Sequence, residues 1–151
     1  MNTIAPAKIK KAENSQRDAI VALLLQEKLP VEDLPASLDN FLVAMVDEKI
    51  AGVIGIEFYQ DCGLLRSMVV DKEYRNNHIA SYLVNRLEEF ARNSGITCIY
   101  LLTETAPQYF QNKGYNRMPR ALVPDVIKTS SEFSHVCPAS AVVMKKEIVN
   151  Q

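Results

Sequence analysis

Two charges stand alone inside apolar runs of this sequence: Glu57 in Gly52-Val53-Ile54-Gly55-Ile56-Glu57-Phe58, and Arg66 in Leu64 to Val70. A charge on such a segment needs a partner, because an unpaired ion is expensive to bury. If the hairpin joining the runs is symmetric about Asp61 and Cys62, facing residues sum to 123, and 57 plus 66 is 123. Glu57 and Arg66 are then direct partners. As a cross-strand ion pair they order the hairpin, a contribution of about 0.2–1 kcal/mol. As a recognition pair, Arg66 holds a substrate carboxylate bidentately while Glu57 orients or deprotonates its ammonium. A zwitterionic amino acid meets both charges.

The junction Val69-Val70-Asp71-Lys72-Glu73-Tyr74-Arg75-Asn76-Asn77-His78-Ile79-Ala80 runs from an apolar strand through a polar turn directly into an amphipathic helix. Unpaired N–H groups at such a helix start bind anions, phosphates above all, because the free donors and the helix dipole point the same way. His78 has three readings here: an exposed first-turn residue, a cationic imidazole touching phosphate, or an obstruction. Thr103 and Glu104 follow a strand end. His135 has no acidic or Cys partner at a fixed spacing and reads as a loop residue or a base. Cys62 and Cys137 read as small buried hydrophobes or as covalent nucleophiles.

The elements that must position these groups follow from periodicity. A short strand at Lys8 to Lys11 precedes a helix opened by a Ser15/Asp18 capping box, with Ile20, Leu23 and Leu24 on its apolar face and its end before Pro30. Lys28 to Asn40 is an irregular connector. Phe41 to Val46, Ile50 to Tyr59 and Leu64 to Val70 form an antiparallel meander, its connectors being Asp47 to Lys49 and Gln60 to Gly63. From His78 to Asn93, Ile79, Leu83, Leu87 and Phe90 define a helix stopped at Gly95. Thr97 to Leu102 is a strand, Ala106 to Lys113 a short helix stopped at Gly114, and Ala139 to Lys145 a last strand. A long irregular stretch lies between Arg117 and Pro138. The order predicts one α/β domain over residues 1–151, with a mixed, mostly antiparallel sheet flanked by helices.

Composition narrows the function classes. The 151 residues carry 17 Lys+Arg against 18 Asp+Glu, a net charge of -1, so no global basic field exists to bind nucleic acid or anionic lipid. Three unclustered cysteines and two histidines give no zinc pattern or disulfide framework, and no run approaches the roughly 18 apolar residues of a membrane span. The expectation is a cytoplasmic protein with reduced thiols, no metal, no nucleic-acid or membrane partner, and a small-molecule substrate, with a homodimer left open.

The strand-to-helix junction resembles the pyrophosphate-binding motif of the GNAT acetyltransferases, R-x-x-G-x-G/A, with Arg75 and Ala80 in matching places and His78 where the family has glycine. Val70 to Arg75 echoes its V-x-P-E-Y-R pattern, with Lys72 for proline. The resemblance implies acetyl-CoA as cosubstrate, admitted where two strands splay apart. The backbone N–H groups of Met68 and Val70 would polarise the thioester, Val69 between them would belong to the same cofactor site, and the N–H groups of Arg75, Asn76, Asn77, His78, Ile79 and Ala80 would hold the diphosphate. The segment Ala106 to Tyr115 resembles the family's helix ending in a glycine. Many relatives place an acid tyrosine four residues before that glycine; this chain has Phe110 there and Tyr109 beside it, which makes Tyr109 a candidate acid or an ordinary packing residue.

Tyr100 to Tyr115 and Ser131 to Ala141 are similar to a subgroup encoded with arsenic-resistance genes and, more distantly, to the acetyltransferase domain of N-acetylglutamate synthases. In the latter, a last-strand serine that helps bind the amino acid matches Ser140, while the arginine near it corresponds to Pro138. The resemblance spans residues 8 to 149, without the amino-acid kinase domain of many such synthases. It implies direct acetyl transfer to a primary amine of an amino acid or analogue, with Glu57 or Glu104 as base and Arg66, Ser140 and Thr103 on the substrate. A non-catalytic acyl-CoA-binding module and a protein or peptide N-terminal acetyltransferase are the alternatives.

Overall fold

The apolar runs at the centre of the sequence become strands because their β-branched and aromatic side chains pack on a pleated surface. The computed structural model describes residues 7–75, 78–130, 133 and 141–148. Its strands are β1 (Lys8–Lys11), β2 (Phe41–Val46), β3 (Lys49–Tyr59), β4 (Cys62–Val70), β5 (Cys98–Thr103), β6 (Asn116–Arg117) and β7 (Val142–Glu147). They hydrogen-bond in the order β1-β2-β3-β4-β5-β7-β6. The pairs β1–β2, β2–β3, β5–β7 and β6–β7 are antiparallel, whereas β4 and β5 are parallel. The parallel pair requires a crossover, and helix α2 (Ile79–Asn93) supplies it. This is the mixed, mostly antiparallel α/β sheet that the order of elements predicts.

The chain packs as two compact units. The first holds the residues up to Ile56 together with Ser67–Phe90. Its β2–β3 turn, Asp47-Glu48, has φ of 48° and 68°, the left-handed pair that suits a tight hairpin. Helix α1 (Arg17–Gln26) follows a 3₁₀ turn at Asn14–Gln16. The expected Ser15/Asp18 box is replaced by a neighbouring one, because the turn starts the helix earlier and the Glu13 N–H donates to Gln16 Oε1 at 2.9 Å. Ile20, Leu23, Leu24, Leu38, Phe41, Val43, Val53 and Val69 form the core of this unit. Gly52 lets α2 lie close on β3: a Cβ there would stand 3.0 Å from both the Leu83 side chain and the Val69 carbonyl.

The second unit holds Glu57–Arg66 and the residues from Ala91 on. Leu64, Cys98, Tyr100, Val123, Ile127 and Val143 form a core within it. Helix α3 (Pro107–Asn112) ends before Gly114, whose φ of 97° suits glycine. From Met118 to Ser130 the chain is more ordered than expected. It contains a 3₁₀ turn at Arg120–Leu122 and a short helix α4 (Asp125–Lys128), each preceded by a proline, Pro119 and Pro124, whose missing N–H is not needed there. Strand β7 runs on to Glu147, past the expected Lys145, because its ladder with β5 continues to the Cys98–Glu147 pair.

Candidate active site

In the first unit, β4 leads into the turn that precedes α2. Ser67 has φ of 57°, a left-handed residue inside a strand that interrupts the regular alternation of β4 before Met68, Val69 and Val70. The ladder between β4 and β5 runs from Cys62–Cys98 to Leu64–Tyr100, six residues short of the end of β4. The backbone beyond Leu64 therefore lies outside that ladder. The Asp71 N–H donates to the Ala51 carbonyl at 2.8 Å, and Asp71 Oδ1 accepts the Glu73 N–H at 3.0 Å, so the turn after β4 is tied at both ends.

Arg75 donates through Nη2 to Glu27 and through Nε to the Val70 carbonyl at 3.4 Å. Glu27 was not foreseen; it lies 48 residues away on the connector after α1, and no periodicity links the two. His78 is exposed, with φ of 63°, and its carbonyl accepts the Tyr82 N–H at 3.1 Å as α2 begins. The histidine thus adopts the backbone conformation for which glycine is the usual residue. A side chain at this φ costs on the order of 1–2 kcal/mol. The first turn of α2 carries no acidic side chain, so its N–H groups and dipole are not neutralised locally. This chemistry fits a diphosphate. Ile79 is buried and Ala80 half-buried, while Asn76 and Asn77 lie outside the described residues.

In the second unit, Glu57 and Arg66 meet as expected. The turn occupies Gln60 and Asp61, one position earlier than the assumed centre, since Cys62 already belongs to β4. Such a turn would set the two residues diagonally, and a long side chain spans that distance. Arg66 Nη1 donates to Glu57 Oε2, with the Arg66 side chain 1% and that of Glu57 23% exposed. The other carboxylate oxygen, Oε1, accepts the Tyr59 hydroxyl. Burial, followed by the hydrogen bond to Glu57, raises the Tyr59 phenol well above its ordinary pKa, so it remains a donor through the neutral range. Tyr59 went unnoticed in the sequence although residues i and i+2 of a strand share a face. The buried Ser130 hydroxyl stands beside the same phenol.

Thr103 Oγ1 accepts the Ala106 N–H at 3.0 Å, which ties the turn into α3. Glu104 is exposed on that turn. Tyr109 is half-buried with its ring edge-on to Phe110 at 5.3 Å, and Phe110 packs in the same manner on the buried Tyr115 at 5.6 Å. Phe110 is a packing residue. Ser140, His135 and Cys137 lie outside the described residues. Among the described residues no group of three His, Cys, Asp or Glu could hold a metal ion, and no helix is long and apolar enough to cross a membrane.

Residues 11–115 match the Acetyltransferase (GNAT) family. The protein YwlB of Bacillus subtilis, itself of uncharacterised function, is 29% identical over 143 residues, which cover 91% of this chain and 95% of YwlB. An amino-acid acetyltransferase of Photorhabdus laumondii is 23% identical over 95 residues, 62% of this chain and 21% of that enzyme. The fold is similar to that of N-acetylglutamate synthase from Neisseria gonorrhoeae, solved with coenzyme A and N-acetyl-glutamate, with a TM-score of 0.83 and 15% identity over 98% of this chain. This chain spans 36% of the length of that synthase. With a family match over more than two thirds of its residues, the chain belongs to the GNAT family of acetyltransferases, as an N-acetyltransferase whose cosubstrate is acetyl-CoA.

Proposed function

We propose that this protein transfers the acetyl group of acetyl-CoA directly to the primary amine of a small molecule, an amino acid or an amino-acid analogue. The observation that carries the acceptor class is the Glu57 carboxylate, held on one oxygen by buried Arg66 and on the other by Tyr59, and still partly exposed. A carboxylate keeps lone pairs beyond those two bonds. An anion fixed in this way suits a cationic ammonium and then the proton that it releases, directly or through water. Arg66, nearly inaccessible, acts through Glu57 by holding its carboxylate. Recognition of an acceptor carboxylate would then fall to Ser140 and Thr103.

On the acetyl-CoA side, the N–H groups of Met68 and Val70 would polarise the thioester carbonyl, and Arg75 with the N–H groups of residues 76–80 would hold the diphosphate. The departing thiolate needs little help, since a free thiol titrates near ~8.5. Tyr109 would be the candidate donor on α3, and Glu104 the alternative base. The reading treats residues 1–151 as one acetyltransferase domain acting in the cytoplasm, where free thiols such as Cys62 and Cys98 are the rule.

The test is thiol release from acetyl-CoA with amino acids, amino-acid analogues including arsenic-bearing ones, polyamines and short peptides. Release is expected to be fastest with a free amino acid or analogue. Faster release with peptides would turn the reading toward N-terminal acetylation, and no release with any amine would overturn it.

A further inference from the structure

We propose that Cys62 and Cys98 form a modification site, a dithiol that a low-molecular-weight disulfide converts into an intramolecular disulfide at the first rung of the β4–β5 ladder. The two residues are Cα partners in the parallel pairing, and their sulfurs stand 3.0 Å apart as free thiols. Neighbouring strands lie about 4.7–4.9 Å apart, inside the roughly 4.4–6.8 Å Cα window of disulfides. Closing the bond to about 2.05 Å moves each sulfur by only about half an ångström. The backbone already holds this end of the ladder: the Thr97 N–H and hydroxyl both donate to the Asp61 carbonyl, at 2.8 and 3.3 Å.

The surroundings assign different roles to the two thiols. Cys98 is buried in the core with Leu64, Tyr100 and Val143, out of reach of a bulky reagent. Cys62 is half-buried at the turn, with its Sγ 3.6 Å from Asp61 Oδ1. Cys62 therefore attacks first. Its thiolate displaces one thiolate from the reagent disulfide and forms a mixed disulfide. The Cys98 thiolate then attacks the Cys62 sulfur and expels the second reagent thiol. The chain loses two hydrogens and two electrons, and one reagent disulfide becomes two thiols. Burial, then the hydrogen bond to Cys98, raises the Cys62 thiol above its ordinary range, which slows the first step. The third cysteine, Cys137, lies outside the described residues and is the competing partner.

The experiment treats the full chain and its Cys137→Ser variant with glutathione disulfide, then maps peptides without reduction. Both proteins are expected to lose two thiols and show a Cys62–Cys98 cross-link that dithiothreitol reverses. Cys98→Ser should instead stop at one glutathione on Cys62. A cross-link to Cys137, a mixed disulfide on Cys62 that persists while Cys98 is present, or two unreacted thiols after prolonged treatment at alkaline pH would each overturn the proposal. None of these readouts depends on acetyl transfer, so the dithiol stands or falls apart from the catalytic reading.

Discussion

Two arginine–glutamate pairs, one in each unit, share the same chemistry and differ in burial. Arg75 and Glu27 meet near the surface, with side chains 52% and 19% exposed, whereas Arg66 and Glu57 are 1% and 23% exposed. An exposed pair contributes about 0–1 kcal/mol, because water and salt screen it. Removing one partner of a buried pair leaves a charge without compensation, a loss of about 3–5 kcal/mol. Separating Arg75 from Glu27 therefore costs little, as the proposed capture of a phosphate by Arg75 requires, while separating Arg66 from Glu57 costs much more. The exposed pair suits ligand exchange and the buried pair suits fixed geometry.

Substitutions can break this comparison in decreasing order of effect. Arg66→Ala should destabilise the protein by about 3 kcal/mol in urea unfolding, the low end of the buried range because Glu57 keeps some solvent. Its kcat should fall with the acetyl-CoA KM nearly unchanged, and Arg66→Lys should recover only part of both, since a single ammonium replaces a fork of donors. A loss below about 1 kcal/mol would make the buried pair equivalent to the exposed one. Arg75→Ala should change stability by less than about 1 kcal/mol yet raise the acetyl-CoA KM roughly tenfold, as loss of one charge-assisted bond would. Glu27→Gln should lower that KM, because the competing carboxylate is gone; an increase would show that Glu27 orients Arg75 for the ligand. The smallest effect belongs to His78→Gly, which should gain up to about 1 kcal/mol by relieving the left-handed φ, with acetyl-CoA affinity kept or improved. A large loss of affinity would instead assign the imidazole to the phosphate.

The element order was legible because periodicity survives in single strands and helices: Ile79, Leu83 and Leu87 face inward on α2, and Ala51 to Ile56 on β3 are buried without a break. The Glu57–Arg66 pair was legible because each was the only charge in its run, even though the turn centre was placed one residue late. The Ser15/Asp18 box was misplaced because a 3₁₀ turn advanced the helix start, a choice made by local hydrogen bonds rather than by residue type. Glu27, Tyr59 and the Cys62–Cys98 contact were not legible. Each depends on which residues the register brings side by side, and register is a property of paired strands and packed connectors, not of any one segment.

The sequence by itself determined the family, the α/β order and the residue types available for chemistry, because these depend on local periodicity and on motifs contiguous in the chain. The tertiary structure alone decided which arginine pairs near the surface and which pairs in the interior, because burial sets the free energy of separating an ion pair and no residue carries its own burial in its name.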